Sequence, residues 1–225
     1  MGTLVITSRS EEPFMDRYEA GMALGNRLLN SADESTVVLG IPRGGVIVAR
    51  GIARILGADL DIVLTRRMGA PDNPELTIGA LSEDGQLFLD AGLSMRAGVD
   101  EAYIEQEKAY QMSVILQMAG RYRKVRPKIP LEGRTVVITD EGAADGSTLQ
   151  ASLWAVRKER PARLIVAVPV GSIDALMGLA DDADETIALK VPPVLRSVGR
   201  FYVRFEKTTD EEVVEALRTS AQGSA

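Results

Sequence analysis

The 225-residue chain is 45% hydrophobic, 26% charged and 4% aromatic, and it contains neither Cys nor His. Those two zeros exclude disulfides, thiol nucleophiles, Cys/His zinc sites and Ser-His-Asp triads, so any chemistry must use carboxylates, cations, backbone amides or an oxygen-bound hard metal. With 26 Lys plus Arg against 32 Asp plus Glu, the net charge is −6 and nucleic acid is not the expected partner.

The first residues lack the layout of a signal peptide, and no apolar run approaches the roughly 20 residues of a bilayer span. The expectation is one soluble, cytoplasmic domain with no membrane contact, long enough to build its own core.

Residues 14–29 carry Met15, Tyr18, Met22, Leu24, Leu28 and Leu29 at helical spacing, with Asp16 and Glu19 in the first turns. Residues 36–41 (TVVLGI) read as a strand, residues 45–56 as a helix and residues 60–65 (LDIVLT) as a second strand. Together these make a βαβ unit with a parallel pair. Residues 68–74, rich in Pro and Gly, read as a loop, and residues 78–89 as a hairpin turning at Glu83-Asp84-Gly85.

Residues 100–123 form a long helix with Ile104, Met112, Ile115, Leu116 and Ala119 facing inward. The cations that follow, Arg121, Arg123, Lys124, Arg126 and Lys128, read as a solvated helix end. Alternation then resumes: strand 135–139, helix 148–159, strand 164–168, helix 173–179, strand 185–189, with a frayed tail at 220–225. The pattern predicts an α/β fold: an open, mostly parallel twisted sheet with helices on both faces.

In such sheets ligands bind beyond the carboxyl ends of the strands, and three strand ends carry chemistry. VVITDEGAADGST places Asp140 and Glu141 at a strand end, followed by Gly142, Ala143, Ala144, Asp145, Gly146, Ser147 and Thr148 leading into a helix. Small residues let successive amides and the helix N-terminus converge on an anion such as phosphate, while paired carboxylates suit sugar hydroxyls. The same residues also read as an ordinary capped turn. LGIPRGG sets Arg43 beside Gly44 and Gly45, a fixed cationic fork on a loop that a diphosphate or carboxylate can approach. TRRMGAP offers Arg66 and Arg67 as a second cationic clamp, on a loop suited to close as a lid, though by themselves they also read as two exposed arginines.

These motifs resemble the type I phosphoribosyltransferases. VVITDEGAADGST is similar to their diphosphoribosyl-binding signature and LGIPRGG to their pyrophosphate loop, over roughly residues 14–217. PRGGV together with RRMGAPDNPELTIGA resembles a bacterial branch known only by a provisional phosphoribosyltransferase label.

The resemblance implies a core at about 36–190 and a small hood from about 1–30 and 191–219. It also implies transfer of ribose 5-phosphate from phosphoribosyl pyrophosphate to a nitrogenous base or similar acceptor, with release of pyrophosphate. Asp140 and Glu141 would hold the ribose hydroxyls, and residues 142–148 the 5-phosphate. Arg43, Gly44 and Gly45, joined by Arg66 or Arg67, would receive the pyrophosphate. Mg²⁺ would ride on substrate oxygens, with no direct protein ligand or only Asp140 and Glu141. A homodimer is common in such families. Phe201 or Tyr202 of the hood could stack on a base, but aromatics near a C-terminus more often serve as packing.

The sequence departs from the family at Asp145, where members usually carry Thr; a carboxylate about 4 Å from a phosphate repels it by roughly 1–4 kcal/mol. Asp145 is therefore expected to weaken phosphoribosyl pyrophosphate binding. That suits a second reading, a catalytically weak or inactive protein that binds a nucleotide or phosphoribosyl ligand in a regulatory role. Glu141 and Arg43, both on solvent-facing loops, are expected to matter to turnover far more than to stability.

Overall fold

Alternation along the apolar strands sets the architecture. In β2 (Val37–Gly40), β7 (Thr135–Thr139) and β8 (Arg163–Val170), Val38, Val137 and Ile165 point into one buried layer, and Leu39, Ile138 and Val166 into another. Strands buried on both faces need helices on both sides, and the chain supplies them. α1 (Arg17–Leu28), α2 (Gly44–Leu56) and α7 (Asp210–Ala221) cover the first face through Leu24, Ile52 and Leu217. α5 (Ser147–Arg157) and α6 (Ile173–Asp182) cover the second through Leu153 and Leu176.

In this computed structural model, which describes residues 2–221, the main sheet has six strands in the order β1-β9-β8-β7-β2-β3. Its remaining strands are β1 (Thr3–Ser8), β3 (Asp59–Ile62) and β9 (Glu185–Lys190), and every neighbouring pair is parallel. The fold is therefore the expected α/β class. Of the expected tail, residues 222–225 lie outside the described residues; Ser220 belongs to α7. No helix among the described residues is long and apolar enough to cross a membrane.

Several local expectations need correction. The TRRMGAP stretch is a strand, β4 (Thr65–Ala70), antiparallel to β5 (Asn73–Ser82), which pairs in turn with β6 (Leu87–Leu89). Met68 and Ala70 alternate inward against Ile78, a period-two signal that the glycine and prolines obscured. Gly69 belongs there because a Cβ would lie 2.5 Å from the Pro74 carbonyl oxygen. The turn at 83–85 is as expected, with Gly85 at φ 75°.

Residues 3–8, expected in the hood, form the sheet edge beside β9, a pairing across the whole chain that local pattern cannot reveal. α3 (Ala91–Arg96) and α4 (Glu101–Tyr122) cover the small sheet. Leu116, expected inside, is exposed on α4.

Of the cations at the end of α4, Arg121 and Lys124 are exposed as expected, but Arg123, Arg126 and Lys128 are not simply solvated. Arg123 bridges Asp61 and Glu83 at 2.6 Å each, Arg126 reaches Asp59 at 3.0 Å, and Lys128 pairs with Glu159 at 3.0 Å. They fasten α4 and its following loop to the main sheet, which sequence proximity to a helix terminus gave no way to foresee.

The inner stripe of α1 also differs from the Met- and Tyr-rich face expected: Met15 and Leu29 are exposed, and Gly21 and Gly25 lie buried against α2. A Cβ on Gly21 would sit 2.1 Å from the Val48 carbonyl oxygen, and one on Gly51 2.5 Å from that of Tyr18. The two helices cross in backbone contact, which only glycine permits.

Candidate active site

The sheet reverses its direction of winding between β7 and β2. From β2 the chain moves outward to β3, with α2 on one face; from β7 it moves the other way through β8 to β9, with α5 and α6 on the opposite face. This switch point opens a crevice at the strands' carboxyl ends. Gly40 of β2 is in register with Thr139 of β7, so the chain leaves both strands side by side. Arg43 and the acids Asp140 and Glu141 are thereby brought together, as the sequence expectation required.

The glycines of the arginine loop make the contact close. A Cβ on Gly44 would fall 2.1 Å from the Glu141 Oε1, and one on Gly45 2.9 Å from the Asp140 Oδ1. Packing around Asp140 strips water from its carboxyl and pushes it up to about 7; the Glu141 amide, donating to Oδ1 at 2.8 Å, opposes this, the Glu141 charge adds to it and Arg17 opposes it.

Arg43 stands at the N-cap of α2 with no side-chain cap, after a cis Pro42–Arg43 peptide. Its side chain is 41% exposed and only loosely held, by the Thr208 carbonyl at 3.4 Å and Asp210 at 3.5 Å. Arg17, Arg43, Gly44, Glu141, Phe205 and Lys207 surround a cavity of about 390 Å³.

Arg66 and Arg67 do not line this cavity. Arg66 donates to Gln111 at 2.8 Å, and Arg67 pairs with Glu75 at 3.0 Å. The Arg67 charge is instead felt at Asp145, beside the other loop.

That loop is moored to β8: the Ala143 amide donates to the Val170 carbonyl at 2.8 Å, and the Ser172 hydroxyl to the Ala144 carbonyl at 2.8 Å. Gly146 adopts φ 77° at the N-cap of α5, which leaves the cap without a side chain of its own. Asp145 fills that role. Its Oδ1 accepts from both the amide and the hydroxyl of Ser147 at 2.9 Å, and the Ser147 amide is the first cause that holds its carboxyl below the usual range. Thr148 is exposed beside it.

The aromatics follow the packing alternative and not the stacking one. Phe201 and Tyr202 are buried, and the Tyr202 hydroxyl donates to the Glu141 carbonyl at 2.6 Å, its own ionisation pushed up chiefly by burial. They serve as packing under the acid pair and offer no face to a base.

Sequence reasoning missed Arg17, Phe205 and Lys207. A signal for Arg17 was present: a cation in the first turn of a helix opposes the macrodipole, and a broken local rule often marks a site. The Glu141 expectation also needs correction. Its carboxylate pairs with the buried Arg17 at 2.5 Å, so removing it leaves a buried cation unmatched and costs stability. No group of three or more acids suited to a metal occurs among the described residues. The two carboxylates fit a magnesium ion carried by substrate oxygens and water, not a protein cage.

Comparison with known proteins agrees with this geometry. The phosphoribosyl transferase domain model matches residues 16–188. The Mycobacterium tuberculosis protein Rv0571c, which bears a provisional phosphoribosyl transferase name, is 38% identical over 204 residues, 91% of this chain and 46% of that protein. The chain thus spans about half the length of the curated relatives it matches. The crystal structure of TT1426 from Thermus thermophilus shares 44% identity with a TM-score of 0.88, covering 92% of this chain and 98% of that one. A protein from Aquifex aeolicus, AQ2163, shares the fold at 13% identity and a TM-score of 0.50, over 85% of this chain and 87% of its own. Most of the chain, including the acid pair and the arginine loop, lies inside these matches, and it belongs to the phosphoribosyl transferase domain family.

Proposed function

We propose that the protein transfers ribose 5-phosphate from phosphoribosyl pyrophosphate to a nitrogen acceptor, releasing pyrophosphate. The observation that supports this reading is the meeting of Asp140 and Glu141 with the Gly44-Gly45 backbone, with Glu141 and the Arg43 fork on one cavity and Asp140 packed beside Gly45. As the bond from C1 to the pyrophosphate oxygen lengthens, positive charge grows on the ring and negative charge on the leaving group. Glu141 with Arg43 and Lys207 on the same cavity offers charge of both signs for that separation, and preorganised charge is the largest lever available without His or Cys. Magnesium on the pyrophosphate oxygens would add further charge neutralisation when the substrate is bound. Asp140 must be ionised to take part, so turnover should rise with pH through about 7.

The test is pyrophosphate release from phosphoribosyl pyrophosphate and Mg²⁺ with a panel of purine, pyrimidine and pyridine bases. Turnover with one class names the acceptor; no release with any base removes the catalytic reading. One observation favours the second reading, a regulatory binder: Asp145 takes the Ser147 amide and hydroxyl that a 5-phosphate would use. Thermal stabilisation by nucleotides or by phosphoribosyl pyrophosphate, without turnover, would select it.

A further inference from the structure

Arg17 is the least expected member of the cavity wall. It begins α1, where the helix dipole disfavours a cation, and it is only 8% exposed. Its Nε and Nη2 both lie 2.5 Å from the Glu141 Oε1. The guanidinium lies over the Phe205 ring, 4.1 Å from its centroid, and Phe205 stacks on Tyr202 at 5.0 Å. Tyr202 returns to the same residue by donating to the Glu141 carbonyl. On the other side the Glu141 carboxylate rests on Gly44, where any side chain would collide with it. The carboxylate is thus clamped between α1 and α2 while its backbone is held from the hood. A buried ion pair is a poor source of net stability, because desolvation offsets most of the attraction. Such a costly arrangement at a cavity wall is better explained by placement.

We propose that Arg17 is a positioning residue for the acid pair: it fixes the Glu141 carboxylate against Gly44. This deepens the phosphoribosyltransferase reading and rests on it for the pair's role in holding sugar. Taking Arg17 away removes the fork that holds the carboxylate and frees Glu141 to swing off Gly44.

The experiment compares the full chain with Arg17→Met and Arg17→Lys by calorimetry with Mg²⁺ and phosphoribosyl pyrophosphate, by thermal melts and by a crystal structure of each variant. Arg17→Met should weaken binding at least about tenfold, as removal of an orienting partner does, with the Glu141 carboxylate displaced from Gly44. Arg17→Lys, which keeps the charge but loses the planar fork, should recover only part of the affinity. A purely structural Arg17 would lower the melting temperature of both variants and leave affinity and the Glu141 carboxylate where they were; that result overturns the proposal. If Arg17→Met does not fold, Arg17→Lys decides: weakened binding with a displaced Glu141 carboxylate supports the proposal, and unchanged binding or an unmoved carboxylate overturns it. Failure of the wild type itself to bind would remove the transferase reading, while the crystal structures would still decide whether Arg17 holds Glu141.

Discussion

Two loops of this molecule are built alike and left in opposite states. Residues 42–46 and 142–148 each leave a central parallel strand and open into a helix whose first amides face the crevice. In the first, Arg43 caps nothing with its side chain and is held only by long contacts at its tip. In the second, Asp145 folds back on Ser147 and supplies the helix with an anion of its own. A helix N-terminus attracts negative charge whatever its source. In the first loop Glu141 and Asp140 of the neighbouring strand end approach Gly44 and Gly45 while the Arg43 fork stays loosely held; in the second the loop's own Asp145 meets part of the attraction. The difference teaches that a phosphate-loop signature is no guarantee of an open phosphate site.

The largest effect should come from disarming the open loop. Arg43→Ala is expected to lower pyrophosphate release about 10²- to 10³-fold, the usual cost of losing a charge-stabilising donor. Its partly exposed contact with Asp210 contributes under about 1 kcal/mol, so the melting temperature should barely move. Comparable losses in both measurements would mean that the two loops do not differ in the way described.

Opening the closed loop should act in the other direction. Asp145→Thr removes a carboxylate and restores a hydroxyl, and affinity for phosphoribosyl pyrophosphate should rise about 10- to 100-fold by calorimetry, within the range set by the carboxylate–phosphate repulsion. Micromolar binding by the wild type with no gain in the variant defeats that reading of Asp145.

A third measurement probes the acids between the loops. The Asp140 carboxyl is raised in the folded state, so folding favours its proton and stability is lost as pH climbs from about 4 to about 7. Asp140→Asn should lower turnover less than Arg43→Ala does yet, above pH 7, gain stability of roughly 2–4 kcal/mol, read from denaturant melts at pH 5 and pH 8. An equal effect at both pH values would show that Asp140 carries no such burden. The smallest change is expected from Ser147→Ala, which strips one hydroxyl from the Asp145 cap and should cost about 1 kcal/mol with little change in turnover.

The parts legible in the sequence were those whose cause is local. The strands 135–139 and 164–168 announce themselves by continuous β-branched and apolar runs, and the glycines after them by the turns they allow. The acid pair and Arg43 were legible too, because strand-end position and residue type suffice to nominate them. What escaped was set by partners distant in the chain. Arg123 looked solvated until Asp61 and Glu83 met it, and the edge strand at residues 3–8 had no pattern until β9 lay beside it. Arg17 needed Glu141, which is 124 positions away. Residues 65–70 failed for a different reason: Gly and Pro are strong turn signals, and here a cross-strand approach at Gly69 used the glycine instead.

The backbone contact between α1 and α2 gives the site its tolerance. With Gly21 pressed on the Val48 carbonyl and Gly51 on that of Tyr18, neither helix can slide or roll without a collision. Arg17 starts one of these helices and Arg43 precedes the other. The spacing of the two guanidiniums is therefore gauged one to two turns further down, by a pair of missing methyl groups buried between the helices. Drift at that crossing would detune the chemistry while leaving every cavity-lining residue in place.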